Sequence, residues 1–175
     1  MPRHTSISTA GGGGALDDNP YSSDDFPAAF SGAVARLQVS VLEACRRHEA
    51  WPEKVAAALG AAVDFAAREA DGVRLLTVDS LIRRPDGGRR YVRTVEHFSE
   101  LLRAESPPDN RRPRSTEQAL VGGVATTFAD HARTGTLAEL PAALPELVEF
   151  VLLPYVGAAE ARRWGRWAGR QRDSA

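Results

Sequence analysis

A chain of 175 residues with 43% hydrophobic and 26% charged side chains has the size and balance of one globular domain. Its formal net charge of -1 argues against a protein that holds nucleic acid by bulk positive charge. The single cysteine, Cys45, excludes an intramolecular disulfide and suits a reducing cytoplasm.

Residues 1–20, "MPRHTSISTAGGGGALDDNP", carry almost no large apolar side chain and read as a disordered Gly/Ser-rich tail. The four glycines run into Ala15-Leu16-Asp17 and not into the Lys-Ser/Thr of a phosphate-binding loop. No secretory signal opens the chain, and the longest oily run, Leu147 to Tyr155, is too short to span a bilayer. A soluble, cytoplasmic protein without a membrane partner is expected.

From Ser22 the pattern turns helical. Phe26, Phe30, Val34, Leu37, Val41 and Cys45 recur every three or four residues, which places them on one face of a long helix. Ser22 and Asp25 give a weak capping signal at its start. Trp51-Pro52 stops this helix and opens another, whose stripe is Val55, Leu59, Ala62, Val63 and Ala66. "DGVRLLTVDSLIRR" predicts a short third helix, broken by "RRPDGG". Tyr91, Val95, Phe98 and Leu102 mark the next, which ends before the proline-rich "SPPDNRRPR". Ser115 and Gln118 stand at capping-box spacing ahead of Val121, Val124 and Phe128, and that helix closes near Gly135. The last strong segment is "LPELVEFVLLPYVG". "ARRWGRWAGRQR" follows as a solvated terminal helix with its tryptophans folded onto the body. Residues 169–175 read as a disordered tail, which leaves 21–168 as the helical domain. No strand-like alternation appears, so the fold class is all-α with six to seven helices.

Two segments ask for more than one neighbour. In Leu144 to Val156 the apolar side chains cover nearly the whole helix circumference, and such a helix is buried on more than one side. In the Ser115 helix, Gly122-Gly123 and Ala125 leave a small-residue patch for a close backbone. One reading is an isologous homodimer bundle through Val121, Gly122, Val124, Ala125, Leu147, Val148, Val151, Leu152 and Tyr155. The other puts both helices at the centre of a monomer.

Signs of catalysis are absent from the pattern. His4, His48, His97 and His131 stand alone, and no HExxH, CxxC or GxSxG occurs. No enzyme, catalytic residue, metal or cofactor is expected. The Arg clusters at 83–93, 111–114 and 162–172 read as solvated surface, with no DNA-binding residue assigned.

"WPEKVAAALGAAVDFAAREADGVRLLTVDS", "EQALVGGVATTFADHARTG" and "LPAALPELVEFVLLPYVGAAEARR" together resemble the C-terminal regulatory domain of TetR/AcrR-type transcriptional regulators, over roughly Tyr21 to Arg163. "YSSDDFPAAF" resembles the join to the helix-turn-helix domain that precedes this region in the family, without the lysine usual near Ser23. The resemblance implies a helical domain that dimerises through its last two long helices and encloses a ligand pocket, and the mainly aromatic and aliphatic candidate lining suits a small hydrophobic effector. By apolar position and by resemblance, Phe65, Leu76, Tyr91, Val95, Phe98 and Phe128 are the candidate ligand-binding residues; ordinary core packing is the alternative for each. No helix-turn-helix is evident in this chain. Three explanations stand: a misplaced start codon, a truncated gene, or a standalone module. DNA then enters only through an upstream head or a full-length partner. A small helical interaction module, pairing with full-length relatives or with another partner, is the alternative function.

Overall fold

The computed structural model describes residues 25–82 and 86–173. The expected N-terminal tail, the Ser22 cap and the Arg83-Arg84 pair lie outside the described residues. Every regular element among the described residues is helical, and none is a strand. The all-α expectation holds.

Helix α1, Phe26–Cys45, buries Phe26, Phe30 and Ala33 in its first half. Farther along the same stripe, Leu37, Val41 and Cys45 are only half-buried, because they border a void. Helix α2, Trp51–Arg68, starts with Pro52 in its first turn, where a missing N–H costs nothing. Val55, Leu59, Val63 and Ala66 form its buried stripe. The short third helix is composite: α3, Ala70–Arg74, widens into a π segment, Leu75–Asp79, and ends in α4, Ser80–Ile82. Within it Thr77 Oγ1 donates to the Val73 carbonyl at 2.7 Å and Ser80 Oγ donates to the Leu76 carbonyl at 2.9 Å. These hydroxyls satisfy buried acceptors where the ladder changes pitch.

Helix α5 runs over Gly87–Glu105 and α6 over Arg114–Thr134. The predicted capping box at Ser115 is not formed. The N-cap is Pro113, whose carbonyl accepts from the Thr116 and Glu117 N–H groups, and Ser115 lies exposed inside the first turn. The helix does close at Gly135, whose φ of 75° suits a residue without Cβ.

Helix α7, Leu140–Val156, is the centre of the molecule, packed against α2, α6 and α8, Ala158–Asp173. Helix α8 lies so close that a Cβ on Gly165 would stand 2.5 Å from the Pro145 carbonyl oxygen. Its far end is tied to α2 by Arg172 Nη1, 2.8 Å from Asp64 Oδ1. The expected tail from residue 169 is therefore helical through Asp173. As expected, Trp164 and Trp167 fold half-buried against the core.

This packing locates the α7 side chains expected at a dimer face. Leu147, Val148, Val151, Leu152 and Tyr155 are all buried within the one chain, Val148 and Leu152 at 0% exposure. The neighbours that an oily circumference demands are supplied within the chain by α2, α6 and α8. The large apolar side chains left open on α7 are Phe150 and Leu153, at 42% and 44% exposure. The Phe150 ring lies over Gly123 of α6, where a Cβ would meet it at 2.9 Å.

Candidate functional site

A cavity of about 210 Å³ lies between α1, α2, the π segment, α5 and α6, with Val151 of α7 also in its wall. Each helix brings its apolar stripe to the wall by its own period. Leu37 and Val41 come from α1, Val55, Leu59 and Phe65 from α2, and Val124 and Phe128 from α6. Helix α5 contributes Tyr91, Val95, Phe98 and Leu102, which is one face at spacings of three and four. The π segment places Leu76 and Thr77, neighbours in sequence, both on the wall. Widened turns of this kind recur at ligand sites.

All six candidate residues, Phe65, Leu76, Tyr91, Val95, Phe98 and Phe128, border this one cavity although they come from four different elements. Val121, Val124, Ala125 and Val151, expected at a dimer face, border it as well. A wall with so little polar surface excludes any large hydrated ligand and suits an apolar body held by dispersion and desolvation. The hydroxyls of Thr77 and Thr94 donate to carbonyls of their own helical segments, at 2.7 and 3.0 Å, which leaves the wall still less polar.

One end of the cavity differs. There the last turn of α1, the first turn of α2 and the last turn of α5 bring Cys45, Trp51, Lys54 and Glu105 to the lining. Lys54 Nζ donates to Glu105 Oε2 at 2.7 Å across 51 residues of sequence. The two side chains are 27% and 43% exposed, so this end meets solvent. The carboxylate beside Lys54 raises its ammonium pKa, so the cation persists at neutral pH. The Cys45 thiol donates to the Lys54 carbonyl at 3.6 Å. Burial, reinforced by the Glu105 charge, pushes the thiol pKa up and keeps it protonated and a poor nucleophile. Trp51 is 6% exposed, and its Nε1–H is buried with no hydrogen-bond partner among the described residues.

The sequence pattern did not single out these four residues. Cys45 read as the end of one apolar helical stripe and Trp51 as the start of the next helix, and Lys54 and Glu105 were given no role. The available signal was that Lys54 is the only lysine in a chain whose other cations are all Arg.

A second concavity between α5 and α6 has a different character. Arg93, Glu96, His97, Glu100, Arg114 and Glu117 line it, and its opposite charges neutralise one another, as in the Arg114–Glu100 contact of 3.3 Å. Among the described residues no three His, Cys, Asp or Glu side chains gather as a metal site, and no helix is long and apolar enough to cross a membrane.

No protein-family model, curated protein or solved structure matches the chain. The functional reading rests on the cavity and on the order of the helices.

Proposed function

We propose that the chain is a TetR-type regulatory domain, a non-enzymatic cytoplasmic sensor that takes a small, mainly apolar effector into the cavity and acts as a homodimer. The observation that carries this reading is the convergence of Phe65, Leu76, Tyr91, Val95, Phe98 and Phe128 on one apolar space of about 210 Å³, open to solvent at one end. A void of this size inside an otherwise close-packed bundle forfeits dispersion contacts along its wall, and a ligand restores them. Effector uptake then shifts the balance between dimer conformations, and the output passes to DNA through an upstream head or a full-length partner.

Titration with the neutral fluorescent probe N-phenyl-1-naphthylamine tests the reading. Saturable enhancement at one probe per chain is expected, with loss of uptake in Val95→Trp, whose indole fills the cavity from α5. Absence of saturable uptake, or uptake that Val95→Trp leaves unchanged, overturns it.

A further inference from the structure

We propose that the effector is an amphipathic acid: an apolar body inside the cavity and a carboxylate head at its polar end, where the head takes the place of Glu105 on Lys54. This rests on the cavity reading above and names the ligand's chemistry.

The donors and acceptors at that end decide the sign. Trp51 and Lys54, three residues apart, share one side of the first turn of α2, and both border the cavity. Each is a donor. The buried Trp51 Nε1–H has no acceptor among the described residues, an unfavourable state for a buried donor that a ligand oxygen within its reach would relieve. Lys54 already has a partner, but that partner is the more exposed of the two. Glu105 sits in the last turn of α5, where the helix dipole disfavours a carboxylate, and it has solvent to turn into. Lys54 sits at the positive end of α2. The exchange of one carboxylate for another therefore keeps the ion pair and adds both an acceptor for Trp51 and an apolar body for the void. A cationic head would find one acceptor, Glu105, and would leave Lys54 and Trp51 both unmatched.

The test uses three probes of one chain length, decanoate, decan-1-ol and decylammonium, as competitors of bound N-phenyl-1-naphthylamine. Decanoate is expected to compete about three- to five-fold better than the alcohol, the size of a partly exposed ion pair, and decylammonium worse than either. Lys54→Met should erase the ratio of carboxylate to alcohol. Glu105→Gln, by removing the internal competitor, should enlarge it. Both readouts are ratios, which a general loosening of the fold does not move. Equal competition by the three heads, preference for decylammonium, or a ratio that survives Lys54→Met overturns the proposal while leaving the apolar cavity standing. If the probe binds and none of the three displaces it, this proposal falls and the cavity reading stands; if no probe binds, the cavity reading falls and this one with it.

Discussion

Arg103 Nη1 donates to Glu117 Oε2 at 2.8 Å and to the Arg112 carbonyl at 2.8 Å, so one guanidinium joins α5, the loop after it and the first turn of α6. The two partners are unequally placed: the Glu117 side chain is 1% exposed and that of Arg103 is 28%. Glu117 Oε1 is buried without a partner among the described residues, so the carboxylate depends on a single cation. Removal of that cation leaves a buried charge uncompensated, at a cost of about 3–5 kcal/mol. Arg103→Met is therefore expected to be much more destabilising than Glu117→Gln, which leaves an arginine able to reach water and costs about 1–3 kcal/mol. Urea unfolding of the two variants measures the difference; equal losses would mean that the pair is not anchored by its buried member.

Tyr155 supplies a pH dependence of the opposite chemical kind. Burial pushes its phenol up to about 12, with the Glu117 charge adding to the effect. The unfolded phenol titrates near 10, so between about pH 10 and 12 the unfolded chain loses this proton while the folded chain keeps it. The folded state binds more protons in that window, and stability falls as pH rises through it. Below pH 10 both states are neutral and Tyr155 makes no contribution to the slope. Tyr155→Phe keeps the ring against Trp51, with centroids 4.8 Å apart, and removes a hydroxyl that has no hydrogen-bond partner among the described residues. It should flatten the alkaline loss of stability relative to wild type and cost little near neutrality, as denaturant midpoints at a series of pH values will show.

Helix α5 shows how much of this was legible in the sequence. Its apolar period placed Tyr91, Val95 and Phe98 on one face, and that face does border the cavity. Period alone could not say whether the face met core or void, because both demand the same side chains. Ser115 misled for a local reason. Its spacing to Gln118 fits a capping box, but Pro113 had already started the helix and Glu117 was drawn inward by Arg103. Helix α7 was ambiguous for a global one. An all-round apolar helix does not mark which side faces its own chain, and the answer lay in α8, whose glycine and alanine side lets it cover α7 closely. The polar end of the cavity was hidden because Lys54 and Glu105 are brought together only by the tertiary fold.

Two glycine substitutions separate close packing from helix propensity. In Gly165→Ala the new Cβ would stand 2.5 Å from the Pro145 carbonyl oxygen, a backbone atom that cannot swing away. Helix α8 must shift from α7, and a loss of about 1–3 kcal/mol is expected. Gly122 lies inside α6 with nothing within 4 Å of an added Cβ. In a lone protomer, Gly122→Ala should stabilise by up to about 1 kcal/mol through propensity alone. Thermal unfolding of both variants checks the pair of signs, and a destabilised Gly122→Ala would mean that another surface already occupies that space.

The proposed homodimer has its own discriminating pair on α7. Val148 is 0% exposed, so Val148→Asp buries an unpaired charge in the centre of one protomer. It should abolish the folded state, seen as loss of the cooperative transition. Phe150 and Leu153 are exposed on the same helix, so Phe150→Glu with Leu153→Glu should leave the helical circular dichroism spectrum unchanged. If α7 and the Gly122–Gly123 side of α6 meet a second copy about a two-fold axis, each substitution enters the interface twice and places four carboxylates together there. Light scattering behind gel filtration should then report a dimer for wild type and a folded monomer for the double variant. A wild-type monomer, or a double variant that remains dimeric, would remove this face as the site of assembly.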